Sequence, residues 1–183
     1  MARVAVEERG TDMLNDVSGG TLDDNMLATV ARLNVPYVLM HMRGTPATMR
    51  QLSQYDNVVE EVIGHLASRI AILRDMGVTT IIAGPGCGVA KTIGQCYELL
   101  ASLERFHSLN VPLLVGLSRK SMICNALGVT PQQALNGTTA AHVVALMAGV
   151  HILRVHDVRE AVEARTIVSL ATNTKQDNQQ IYG

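Results

Sequence analysis

The chain has 183 residues, a net charge of −1, 48% hydrophobic residues and 3% aromatics. That length suits one domain with a sizeable core, which has to be aliphatic because there is no Trp and a single Phe, Phe106. No basic run is interleaved with aromatics, which leaves nucleic-acid binding unsupported, and no apolar run approaches the ~18 residues of a membrane span.

In chain order, short strand-like runs alternate with longer helical patterns. Strands are predicted at 13–17, 37–42, 79–84, 112–118 and 151–157, and helices at 22–33, 57–76, 92–108, 131–149 and 158–171. In the second helix Val59, Val62, Ile63, Leu66, Ile70 and Leu73 form one stripe at helical spacing. Asp56 is its expected cap, and Gly77 follows its end. Thr130-Pro131-Gln132-Gln133 reads as a capping box with Pro at the first helical position, and Asn136-Gly137 is expected to break that helix before Thr138 restarts it. Strands apolar on both faces and separated by helices imply a parallel sheet covered by helices. The polar stretch from Ala171 onward is expected to fray. Cys87, Cys96 and Cys124 lack CxxC spacing, so free thiols in a reducing compartment are expected. The N-terminus has no signal-peptide core, which makes the cytoplasm the expected location.

The stretch IIAGPGCGVAKT, Ile81 to Thr92, looks like a nucleotide loop but fits neither motif. A Walker loop needs glycine at the opening position and before the lysine, where this chain has Pro85 and Ala90. Pro85 has no N–H to offer a phosphate. Gly84 and Gly86 are spaced for a dinucleotide loop, but Val89 stands in place of the third glycine. A tight strand-to-helix turn and a ligand-facing loop both stay open. Every predicted strand ends in groups capable of chemistry: Asn15 and Asp16, His41 and Arg43, the stretch above, Ser118-Arg119-Lys120, and Arg154, His156 and Asp157. In parallel α/β folds ligands sit at the carboxyl ends of strands, so one shared site is expected.

NDVSGG (15–20), LMHMRGTP (39–46), PGCGVAKT (85–92), LLVGLSRKSM (113–122), LNGTTAAH (135–142) and ILRVHDVREAV (152–162), in that order, resemble dihydropteroate synthase. The resemblance covers nearly the whole chain to about residue 165. It implies a TIM barrel and a transferase of folate biosynthesis, from a family targeted by sulfonamides. Such an enzyme joins 6-hydroxymethyl-7,8-dihydropterin pyrophosphate to p-aminobenzoate and releases pyrophosphate with magnesium assisting. It also implies a homodimer. By resemblance Asn15 hydrogen-bonds the pterin, Met40 contacts its face, and Lys120 reaches it. Gly84, Val89 and Gly116 border the same pocket. Ser118 and Arg119 flank the entry of p-aminobenzoate, and Arg154 and His156 form the anion-binding pair for pyrophosphate. Lys120, Arg154 and His156 are the catalytic candidates.

Two departures stand out. Gly84 and Val89 replace a family aspartate and a family aromatic at the pterin. The chain also opens at the helix before the family's fourth strand, so about five parallel βα units are expected at 1–170, an incomplete barrel, with a polar tail at 171–183. The usual magnesium ligand lies in the part without a counterpart, and no metal ligand is assigned. The alternative to an enzyme is a catalytically silent pterin-binding homologue, or a subunit needing a second chain.

Overall fold

In a computed structural model of the chain, each of the five apolar runs forms a parallel strand. The structure describes residues 1–45, 47–48 and 52–172, together with the backbone of the last helix to Tyr182. Pro46 of the second strand's motif therefore lies outside the described residues, whereas the stretch from Ala171, expected to fray, continues as the last helix to Tyr182.

The strands are β1 (Leu14–Asp16), β2 (Tyr37–Met40), β3 (Ile81–Gly84), β4 (Leu114–Val115) and β5 (Ile152–Leu153). They lie side by side in chain order. β1 pairs with β2 from Leu14↔Tyr37 to Asp16↔Leu39, and β2 with β3 from Tyr37↔Ile81 to Met40↔Gly84. β4 and β5 pair through Leu114↔Ile152 and Val115↔Leu153. One parallel bridge, Ala83↔Leu113, joins the two groups, with Ala83 N donating to Pro112 O at 2.8 Å. The parallel α/β fold is as expected, but the arc is not a run of equal units. Three strands pair firmly, and two short ones attach through a single bridge.

The helices are α1 (Met26–Leu33), α2 (Val58–Asp75), α3 (Ile93–Ala101), α4 (Ser121–Leu127), α5 (Leu135–Met147) and α6 (Val158–Tyr182). The α2 stripe holds except at Ile63, which is half-buried: Val59, Val62, Leu66, Ile70 and Leu73 are buried in the core, joined by Val58. Each such side chain is worth about 1.5–3 kcal/mol relative to exposure. The cap is Asn57 rather than Asp56. Asn57 is extended, so its Oδ1 reaches back to accept from Val59 N and Glu60 N, both at 3.1 Å.

The expected single helix at 92–108 splits, with α3 tightening into a 3-10 segment at Leu103–Leu109 that buries Phe106. The expected helix at 131–149 differs more. Its capping box closes only one 3-10 turn, Pro131–Gln133, and α5 starts anew at Leu135 with Asn136 and Gly137 inside its first turn. Gly137 is therefore not a breaker. A Cβ there would lie 2.5 Å from Leu127 Cδ1 and 2.7 Å from Ile123 Cγ2, so glycine lets α4 pack tightly on α5. Sequence reasoning missed α4 itself. The three cysteines are buried free thiols, and among the described residues no helix is long and apolar enough to cross a membrane.

Candidate functional site

Successive strand residues face opposite sides, and this sorts the polar groups at the carboxyl ends. Asn15, Val38, Met40, Gly84 and Leu114 share the inner face. With Gly116, Lys120 and Arg154 they line one cleft over the ends of all five strands. Six sequence-predicted site residues thus meet there: Asn15, Met40, Gly84, Gly116, Lys120 and Arg154. Val89, Ser118, Arg119 and His156 do not line it.

Asp16, one position on from Asn15, turns the other way. Its carboxylate accepts from Ser18 N (2.8 Å), Ser18 Oγ (2.6 Å), Gly20 N (2.7 Å) and the buried Tyr37 hydroxyl (2.7 Å). Burial opposes its charge, but these bonds prevail and hold it below the usual carboxylate range. His41 and Arg43 also leave the shared site expected for them. Arg43 pairs with Glu61 at 2.5 Å and lies over the Tyr55 ring, and His41 is 1% exposed.

The glycine-rich stretch resolves into a self-tied turn. Lys91 curls back, its Nζ 3.0 Å from His41 Nδ1, 3.2 Å from Gly86 O and 3.0 Å from Val89 O. Thr92 caps α3 through the reciprocal box with Gln95. A Walker lysine would point outward to phosphate, whereas this one points into its own loop. Burial pushes Lys91 down to about 8, and burial followed by the charge of Lys91 pushes His41 down to about 2, leaving a neutral imidazole. The turn's other carbonyl, Cys87 O, accepts from Lys120 Nζ. Burial also lowers the Lys120 ammonium and raises the Cys87 thiol to about 11.

Arg119 is spent within the protein. Held at φ +56, it forks onto Asp157 (Nε to Oδ2 2.9 Å, Nη2 to Oδ1 2.6 Å) and donates to Pro131 O at 3.0 Å. Ser118 is buried, its hydroxyl 2.9 Å from His156 Nδ1. Arg154 is the contrasting case: its backbone N donates to Val115 O at 2.8 Å, and among the described residues its guanidinium has no hydrogen-bond partner. Among the described residues the cleft therefore offers two cations, one amide and no carboxylate, which suits an anionic or carbonyl-rich ligand.

Magnesium does not fit these residues. Among the described residues no group of three or more His, Cys, Asp or Glu could hold a metal ion, and Asp16 and Asp157 are committed to their own partners. Sequence reasoning also missed the Cys87 carbonyl as the anchor of Lys120. Main-chain acceptors carry no residue-type signal, though the glycines on either side mark where a backbone can approach closely.

The pterin binding enzyme family matches residues 1–156. A dihydropteroate synthase of Escherichia coli strain K12 is 40% identical over 170 residues, 92% of this chain and 60% of that protein. A crystal structure of the Yersinia pestis dihydropteroate synthase with a sulfonamide drug superimposes with a TM-score of 0.87 at 35% identity, covering 92% of this chain and 62% of that one. The Thermus thermophilus enzyme in complex with 6HMPPP gives 0.85 at 40% identity over 90% and 66% of the two chains. Its complex with 4-aminobenzoate gives 0.85 at 40% over 89% and 67%. The chain thus spans 60% of the length of the Escherichia coli relative.

Proposed function

The chain belongs to the pterin-binding enzyme family, and from that premise we propose that it acts as a dihydropteroate synthase-type transferase of folate biosynthesis. The observation that carries this reading is the meeting of Asn15, Lys120 and Arg154 in one cleft that has no carboxylate among its described lining residues. The substrates are 6-hydroxymethyl-7,8-dihydropterin pyrophosphate and p-aminobenzoate. The bond between the pterin's exocyclic carbon and the pyrophosphate oxygen breaks, and pyrophosphate leaves with the electron pair. The lone pair of the arylamine then forms the new C–N bond, and its nitrogen loses a proton.

Arg154 and Lys120 face the place where negative charge develops, and stabilising that charge is the largest contribution in such catalysis. The Asn15 amide offers both a donor and an acceptor to the heterocycle, and Met40 packs its face. His156, tethered by Ser118, follows Arg154 by two residues and meets the outer phosphate beyond the cleft. Val89 borders the pterin side of the turn. Arg119 reaches p-aminobenzoate only through its effect on the 118–120 turn. We assign 1–170 to part of a TIM barrel and 171–183 to a polar tail, in a homodimeric cytoplasmic protein, the three free thiols suiting that compartment.

Gly84 supports a second reading, a pterin-binding homologue that does not turn over. A Cβ there would sit 3.4 Å from Met40 Cγ, ordinary contact, so the missing carboxylate reflects no lack of space. Calorimetric titration of the dihydropterin pyrophosphate, together with a pyrophosphate-release assay, separates the two. Binding with release supports the transferase, binding without release supports the silent homologue, and no binding removes both.

A further inference from the structure

The transferase reading leaves Lys91 without a role, although its side chain is one of the most thoroughly engaged in the molecule. An ammonium has three donors, and all three are used: His41 Nδ1, Gly86 O and Val89 O. No donor remains for a ligand. The tautomer of His41 follows, since accepting from Lys91 leaves Nδ1 bare and puts the ring proton on Nε2.

The turn that Lys91 ties is costly to hold. Gly86 (φ +71), Gly88 (φ +81) and Ala90 (φ +51) all lie in the left-handed region, which for a residue with a Cβ stores strain that surrounding structure must offset. Gly86 also presses on β2's continuation, where a Cβ would come within 2.2 Å of His41 O. His41 is therefore held through its ring by Lys91, while its carbonyl lies so close to Gly86 that no side chain fits between them. The same turn presents Cys87 O to Lys120 Nζ and packs Gly88 against the Lys120 stem, with Cδ 3.3 Å from the place a Cβ would take. Lys120 in turn lines the cleft.

We propose that Lys91 is a positioning residue: clasped by the His41 ring and the carbonyls of Gly86 and Val89, it fixes the turn whose Cys87 carbonyl holds Lys120 in the anion-binding cleft. The role of Lys120 rests on the function proposed above, whereas the clasp itself does not. Lys91 touches no ligand and acts through Lys120.

Inorganic pyrophosphate, titrated calorimetrically into the full chain, Lys91→Met, Lys120→Met and the double variant, tests this, with urea unfolding followed in parallel. Loss of Lys91 should weaken pyrophosphate binding about three- to thirtyfold, the span that mutations outside a site exert on it. In the Lys120→Met background the same change should cost nothing further, because the residue it positions is gone. Equal losses in both backgrounds would overturn the proposal and leave Lys91 a stabilising group only. Should Lys91→Met fail to fold, His41→Asn, which alters one of the three acceptors, takes its place in the cycle. Should the unmodified chain bind no pyrophosphate, the proposed function fails and the clasp is read by NMR instead. Shifted Cys87 and Gly88 amides and Lys120 ε-methylene in His41→Asn would then support it, and unmoved signals would overturn it.

Discussion

In the turn after β3, Lys91 gives all three donors to acceptors of its own protein, whereas at the end of β5 the Arg154 guanidinium faces the cleft with no hydrogen-bond partner among the described residues. Both sit at the carboxyl ends of parallel strands, one in each of the two strand groups, in segments that read as ligand loops. The difference is one of donor accounting. A charge whose donors or acceptors are satisfied internally stabilises the scaffold, and one whose donors are open is available to a ligand. Asp16 and Arg119 fall with Lys91, and Lys120, with one bond to Cys87 O, stands between the groups.

The sharpest break of this contrast comes from an inward-spent charge. Asp16→Ala removes an acceptor for four donors and leaves the Tyr37 hydroxyl buried and unpaired. Urea unfolding should show a loss of about 2–3 kcal/mol. A variant as stable as the parent would mean that these bonds are exchanged for water at no cost.

Next comes an added outward charge. Gly84→Asp places a carboxylate opposite Lys120 and Arg154 in space that can accept it. Dihydropterin affinity should rise about tenfold or more, since one charged hydrogen bond is worth ~1.5–3 kcal/mol. Pyrophosphate affinity should fall, because the cleft loses positive potential. A rise in both would break the electrostatic account.

The smallest effect is a pH trend. Burial, then Lys91, depress His41 to about 2, so the folded state refuses a proton that the unfolded chain accepts near ~6.5. His65, packed edge-on 4.9 Å from the His41 ring, is also lowered, chiefly by burial, with Arg69, Arg43 and Lys91 adding to it. Both shifts have the same sign: their stability is present above ~6.5 and is lost as pH falls below it. Denaturation midpoints between pH 8 and pH 5 should decline on acidification, and His41→Asn should flatten the slope. A parent slope of zero would mean that His41 takes up its proton without disturbing the clasp.

Much of this was legible in the sequence. All five strands fall inside the predicted runs, because β2 and β3 are apolar throughout and the α2 stripe has clean periodicity. Six of ten site residues meet in the cleft, since strand ends in a parallel sheet bring their neighbours together wherever the chain runs next. What could not be read is where each side chain spends its bonds. Arg43 and Arg119 carry the same guanidinium as Arg154, and His41 is as capable of binding a ligand, but their partners Glu61, Asp157 and Lys91 lie 18, 38 and 50 residues away. Short α4 was hidden by its seven residues, too few for a period to show, although Gly128 at φ +64 marks its end.

The central claim, that open donors rather than motif membership make the anion site, is tested most directly by Arg154→Ala. Inorganic pyrophosphate is titrated into this variant and the parent chain at one salt concentration, and each is unfolded in urea. Affinity should fall roughly tenfold to a hundredfold, as expected when a charged hydrogen-bond donor is lost, while the unfolding midpoint stays in place. Unchanged affinity, or a loss of stability in place of affinity, would contradict the account.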